Sequence, residues 1–226
     1  DHRDLHSFPT RRSSDLVAKM AYDKGWLVIT DDMYEEISYI EGKIPHILHV
    51  DPRLKDQTVL SNGVSKSFAM TGWRIGWSVG PIEVIKAMNK IQSQSTSNPA
   101  APSQYAALAA LTGPQDFPRR LLAAFIPRRA YFVQALESIA GVSCVVPMGA
   151  FYVFPNFSAY YGKSFNGQLI NGSVALADYL LSEANVASVP GAAFGADAFI
   201  RFSFATSMDV IEKGMDRIKK ALAALQ

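Results

Sequence analysis

The run "WLVIT", residues 26–30, restricts the fold more than any other stretch. Apolar and β-branched residues in succession, following a helical pattern that ends near Lys24 and running into "DDMYEE", read as a short strand buried on both faces. That is the habit of a parallel sheet covered by helices. Two further runs, "QTVLSNGVSK" and "WRIGWSVG", read as strands, the second closed by Gly80 and Pro81. Next, "PIEVIKAMNKIQ" places Ile82, Ile85, Met88 and Ile91 near one face of a helix that opens on a proline at its favoured first position. The small and polar residues of "SQSTSNPAAPS" form a loop by composition.

From "QYAALAAL" the pattern is helical, is interrupted around "TGPQDFP", and resumes through "RRLLAAFIPRRAYFVQALESIA". The remainder reads as strand "GAFYVFPNF", helix "SVALADYLLSEA", strands "VASVP" and "AFIRFSFAT", and a last helix. In that helix Ile211, Met215, Ile218, Leu222 and Leu225 recur at alternating spacings of four and three, the mark of an amphipathic helix lying on a sheet. A domain boundary is expected near residue 112, dividing 17–112 from 113–226. Residues 1–16, "DHRDLHSFPTRRSSDL", have neither helical nor strand periodicity and stop abruptly where ordinary folded sequence begins. They resemble translated adaptor sequence, and a non-native or disordered segment is expected there.

Composition removes several classes of function. An apolar fraction of 49% with 19% charged residues is that of a globular protein. A net charge of +2 without a basic run gives no electrostatic case for nucleic acid. No apolar window approaches the roughly 20 residues that span a bilayer, and the N-terminus lacks a signal-peptide core, so a cytoplasmic location without membrane contact is expected. The single cysteine, Cys144, excludes an internal disulfide framework, and His2, His6, His46 and His49 form no metal-ligand spacing. No metal is expected.

Three residues carry candidate chemistry. Asp31 directly follows an apolar strand, where open α/β sheets bind ligands at the carboxyl ends of their strands. Lys66 follows the next strand, flanked by Ser65 and Ser67; partial desolvation there would favour the neutral amine, a nucleophile toward carbonyls. Arg74, set between Trp73 and Trp77, presents a permanently charged fork suited to phosphate or carboxylate. Amine, carboxylate and guanidinium together point to an aldehyde cofactor with an anionic handle. Each alone is as well explained as a surface residue.

The stretches "VITDDMYEE", "SNGVSKSFAMTGWRIGWSVGP", "SQSTSNP", "GAFYVFP", "VPGAAFG" and "IRFSFATS" together resemble the C-terminal half to two-thirds of a class I aminotransferase dependent on pyridoxal 5′-phosphate, nearest to the bacterial aspartate aminotransferases. The resemblance covers essentially everything from residue 17 onward. It implies an α/β fold: part of the large domain of a fold type I pyridoxal-phosphate enzyme, with a mixed, mostly parallel sheet, and a smaller α+β C-terminal domain. It implies that Lys66 matches the lysine that joins the cofactor aldehyde and later moves a proton at the substrate Cα. Asp31 matches the carboxylate paired with the ring nitrogen, with Asp32 as its adjacent alternative, and Tyr34 matches the phenol bonded to the ring oxygen. Arg74 matches the phosphate-binding arginine, with Ser65 beside it. Arg201 matches the arginine that grips the substrate α-carboxylate.

Amino acid and 2-oxo acid substrates, and a homodimer in the complete enzyme, follow from the same resemblance. A β-lyase on the same scaffold would share Lys66, Asp31 and Arg201, and an aminotransferase-like effector-sensing domain is the non-catalytic alternative. Two departures stand out. Many relatives carry a serine three residues before the lysine as a phosphate ligand; here the position is Gly63, leaving only backbone N–H. The N-terminal half, which in relatives supplies an aromatic ring stacked on the cofactor and further phosphate donors, is not in this sequence. Ser97 and Asn98, in "QSTSNP", match a loop that approaches the neighbouring subunit's site.

Overall fold

The computed structural model describes residues 11–42 and 44–226, with side chains from residue 14 onward. Two compact units emerge. One runs to Glu36 and then from Ile40 to Pro118; the other comprises Ile37–Tyr39 and Arg119–Gln226. The divide falls inside a helix, six residues beyond the boundary expected at 112.

The first unit opens with α1, Arg11–Lys24. Ala18 and Ala21 on its inner face meet Leu54 in a small core, with Val28, Ile47, Leu48 and Val50 packed around it. α1 takes in residues 11–16, which have no periodicity of their own; extending a helix already nucleated adds one hydrogen bond per residue fixed. Residues 1–10, including His2 and His6, lie outside the described residues. Strand β1, Val28–Asp31, pairs in parallel with β2, Thr58–Gly63, and β2 pairs antiparallel with β3, Gly76–Val79, giving a mixed three-stranded sheet. Between β1 and β2 lie the four-residue helix α2, Ile47–Val50, and a 3-10 turn at Pro52–Gln57.

The expectation that "WLVIT" is buried on both faces is corrected here. In the described sheet β1 is an edge, Ile29 is 70% exposed, and Trp26 and Leu27 before it are exposed too. A continuous apolar run shows what a strand can bury, while the partner on each face decides what it does bury. Helix α3, Ile82–Ser95, departs in the same way. None of its residues is fully buried, and Pro81 stands at the N-cap rather than the first turn. Helix α4, Ala101–Thr112, follows, and α5, Asp116–Glu137, continues across the divide.

The second unit is built on a three-stranded antiparallel sheet of order β4-β8-β7, from Tyr152–Val153, Ile200–Ser203 and Val189–Pro190. The strands are shorter than the apolar runs that announced them. α6, Ser173–Ala184, begins and ends with the predicted run "SVALADYLLSEA", and α7 spans Met208–Ala223. The predicted stripe Ile211, Met215, Ile218, Leu222 and Leu225 is buried throughout. The Tyr179 hydroxyl of α6 donates to the Ala221 carbonyl of α7 at 2.7 Å, and the Phe125, Phe132, Phe202 and Phe204 rings fill the core. A hairpin absent from the sequence reading, β5 at Ser164–Phe165 and β6 at Gln168–Leu169, turns at Asn166 and Gly167. Both turn residues have positive φ, 49° and 80°, as the Asn-Gly type I′ turn requires.

Candidate active site

Three chain reversals bring chemistry to one end of the first unit's sheet. β1 finishes at Asp31, β2 finishes at Gly63 before the turn that bears Lys66, and β3, running the other way, starts at Gly76 just after Arg74. In an open sheet with parallel strands this is the end where ligands bind.

The Lys66 turn is shaped from beneath. Val64 is fully buried and Ser67 nearly so, with Lys66 half-buried between them. The Phe68 amide donates to the Val64 carbonyl at 3.2 Å, and Ala69 to the Lys66 carbonyl at 3.3 Å. Lys66 Nζ lies 5.9 Å from the centre of the Tyr34 ring, within reach of the ring's negative face. Ala69 and Arg74 both adopt left-handed backbone, at φ 53° and 52°. Such conformations cost non-glycine residues about 1–2 kcal/mol each, and two in six residues mark a loop whose shape the surroundings enforce. Arg74 is exposed and donates from Nη1 to the Thr71 carbonyl at 2.9 Å.

At the end of β1 the two adjacent carboxylates diverge. Asp31 Oδ1 accepts the Met33 amide at 3.2 Å in an Asx turn and the side chain is exposed. Asp32 Oδ2 lies 3.3 Å from His46 Nε2, in a sheltered pair. Asp32 is therefore engaged within the unit, and Asp31 is the more exposed of the two carboxylates. Nearby, Asn62 donates to Glu35 Oε1. Loss of hydration at the Glu35 carboxyl, aided by the Asp32 and Glu36 charges, pushes it above the ordinary carboxylate range despite that hydrogen bond.

Gly63 has a different duty from the one the resemblance leaves open. Its N–H donates to Asn62 Oδ1 at 2.7 Å, so that backbone donor is already used. A Cβ here would stand 2.9 Å from the Ile75 carbonyl oxygen and 3.2 Å from Gly76 Cα, so glycine allows two strands to approach closely. Ser65 is half-buried in the Lys66 turn. Ser97 and Asn98 lie in the exposed connection between α3 and α4, where Asn98 Nδ2 donates to the Pro99 carbonyl at 2.9 Å and Ser97 takes a left-handed φ of 64°.

Arg201 belongs to the second unit, on β8. Its guanidinium packs against two rings, 4.6 Å from the centre of Tyr152 on β4 and 4.6 Å from that of Phe194. Contact with aromatic rings occupies the faces of a guanidinium, whose five donors lie in its plane. The sequence reading singled out neither ring, nor the pairing of His46 with Asp32; each contact joins side chains from different elements, across seven residues for Phe194, fourteen for His46 and Asp32, and 49 for Tyr152. Cys144 is no second nucleophile: burial pushes its thiol up to about 11. Among the described residues no helix is long and apolar enough to cross a membrane.

The sequence profile described as "Aminotransferase class I and II" matches residues 8–218. The chain is 45% identical over 199 residues to an aspartate/prephenate aminotransferase of Nitrosomonas europaea, covering 87% of this chain and 50% of that one. It is 45% identical over 201 residues to an aspartate aminotransferase of Geobacillus stearothermophilus, with 88% and 50% covered. Among solved structures, an aspartate aminotransferase from Rhizobium meliloti superposes with a TM-score of 0.88 at 40% identity, covering 96% of this chain and 55% of that one. The chain thus spans about half the length of the curated relatives it matches.

Proposed function

This chain belongs to the aminotransferase class I and II family, and from that premise we propose that it carries the lysine-bearing part of an aspartate aminotransferase dependent on pyridoxal 5′-phosphate. The activity would be transfer of an amino group between aspartate and a 2-oxo acid such as 2-oxoglutarate. The fold is the mixed α/β fold of the fold type I enzymes.

One observation supports the reading: the ends of β1 and β2 and the start of β3 lie on one side of a single sheet, and the turns beside them carry Asp31, Tyr34, Lys66 and Arg74, with Lys66 Nζ 5.9 Å from the Tyr34 ring. That donor set fits the cofactor group by group. Asp31 would pair with its ring nitrogen, Tyr34 with its ring oxygen, Arg74 and Ser65 with its phosphate, and Lys66 with its aldehyde. When bound, the cofactor supplies an electron-withdrawing ring that stabilises negative charge at the substrate Cα. Lys66 takes the proton from that carbon and returns it, as a general base and then a general acid. Asp31 keeps a negative charge beside the ring nitrogen. Arg201, whose guanidinium packs against Tyr152 and Phe194, would receive the substrate α-carboxylate, a group its fork can bind by two hydrogen bonds. A cytoplasmic homodimer in the complete enzyme, with Ser97 and Asn98 near a neighbouring subunit's site, belongs to the same proposal.

The test is Lys66→Ala in the full-length protein, assayed for glutamate and oxaloacetate from aspartate and 2-oxoglutarate. The expected loss is about a thousandfold or more. A parent-like rate would end the assignment, and release of ammonia in place of glutamate would replace it with an eliminating enzyme.

A further inference from the structure

We propose that His46 is a positioning residue for Asp31, holding it by clamping the residues on either side. The inference rests on the role just given to Asp31. His46 stands immediately before α2 as its N-cap, and its Nδ1 accepts the Leu48 amide at 3.2 Å. A backbone amide can only donate, so Nδ1 presents its lone pair and the ring proton resides on Nε2. Nε2 in turn lies 3.3 Å from Thr30 Oγ1 and 3.3 Å from Asp32 Oδ2. One N–H therefore points between the residue before Asp31 and the residue after it.

Along an extended strand, alternate side chains share a face, so Thr30 and Asp32 face His46 while Asp31 faces the other way. The Asp32 amide prolongs the β1–β2 pairing by donating to the Ser61 carbonyl at 2.9 Å, which keeps this alternation past the strand's last residue. The His46 and Asp32 side chains are only 15% and 17% exposed, and shelter from water strengthens a hydrogen bond to a carboxylate. His49 meets the His46 ring edge-on at 5.8 Å and limits its rotation. With the Asx turn from Asp31 Oδ1 to the Met33 amide, Asp31 is held both by its own cap and by both neighbours. A carboxylate that must meet one ring nitrogen gains from such prior ordering, because small misplacements of a binding group are costly.

The test separates the cap from the clamp. In the full-length protein His46→Asn keeps a side-chain oxygen for the Leu48 amide, since Asn is a favoured N-cap, but is too short to reach Thr30 and Asp32. We expect its melting temperature to fall by no more than about 6 °C, the shift that losing one hydrogen bond to a charged group brings in a chain of this size. Without cofactor, amide exchange across residues 30–34 should quicken about tenfold, the effect of losing a hydrogen bond to a charged group. Added pyridoxal 5′-phosphate should bind about tenfold more weakly, and the visible dichroism of the bound cofactor, which reports ring orientation, should weaken. Unchanged exchange overturns the clamp. Faster exchange with parent-like cofactor affinity and dichroism overturns the positioning of Asp31. If His46→Asn fails to fold, Asp32→Asn preserves shape while removing the charge, and about a fivefold loss of affinity is expected; parent-like affinity there also overturns the proposal. Should Lys66→Ala and Asp31→Ala both bind cofactor like the parent, the reading of the site itself has failed, and the exchange measurement alone still decides the clamp.

Discussion

Helix α7 buries Ile211, Met215, Ile218 and Leu222, each 4% exposed or less, while α3, with the same kind of stripe, leaves Ile82 63% and Ile91 70% exposed. Both segments satisfy the three-and-four spacing that specifies an amphipathic helix. The difference lies in what each unit offers. The second unit surrounds α7 with α6 and an aromatic core, joined by the hydrogen bond from Tyr179 to Ala221. In the first unit Ile85 and Met88 of α3 line an open cavity with Asn62, Trp77 and Ser78 of β2 and β3, and Val79 is itself exposed. Periodicity therefore determines that a helix forms and which face is apolar, whereas burial depends on a partner. Exposed apolar side chains lined up on one helix face are a surface that a further protein segment could cover. The unit carrying Lys66, Asp31 and Arg74 is thus the less self-contained, in keeping with a chain about half the length of its relatives.

The largest expected effect tests that contrast directly. Phe204 is fully buried and packs edge-on against Phe125 with ring centres 5.8 Å apart. Phe204→Ala should cost about 3–5 kcal/mol in urea unfolding of this 226-residue chain, through lost transfer energy and the cavity left behind. Ile91→Ala should stay within about 0.5 kcal/mol. Similar losses for the two would show that α3 is packed in solution and would break the comparison.

The same contrast explains what was readable in the sequence. Local signals carried through: α6 and α7 lie where their periodicity put them, and Asp31 and Lys66 stand at and just beyond the ends of β1 and β2, strands visible as apolar runs, while β3 begins at Gly76, two residues after the Arg74 that its run included. Contacts that bridge the chain were not readable. His46 lies fourteen residues from Asp32, and Arg201 draws Tyr152 and Phe194 from separate segments. Nothing in a one-dimensional pattern selects these partners from the other histidines and aromatics. The Asn166-Gly167 hairpin differs, since that dipeptide carries its own local turn signal.

Glycines sharpen the comparison at intermediate size. At Gly63 an added methyl would meet the Ile75 carbonyl oxygen at 2.9 Å, Met33 Cε at 3.1 Å and Gly76 Cα at 3.2 Å. Two of those three neighbours are backbone and cannot turn aside. Gly63→Ala should therefore cost about 1–3 kcal/mol, the range for overpacking, with the midpoint of urea unfolding falling at constant slope. A neutral result would show that β2 and β3 separate readily at this end.

Gly214, in the middle of α7, should respond with the opposite sign. It lies in regular helix with no left-handed φ, and a Cβ there would find no atom within 4 Å. Packing therefore does not require glycine, and the residue contributes only its unfavourable helix propensity and its excess freedom in the unfolded chain. Gly214→Ala should stabilise by about 0.5–1 kcal/mol, seen as a higher urea midpoint with the slope unchanged. The gain belongs to the second unit, so it should appear in the exchange rates of α6 and α7 amides and leave β1 and β2 amides at their parent rates. Slower exchange in β1 and β2 as well would mean that the two units unfold as one, and the contrast between an open and a closed unit would then describe surfaces and not stabilities.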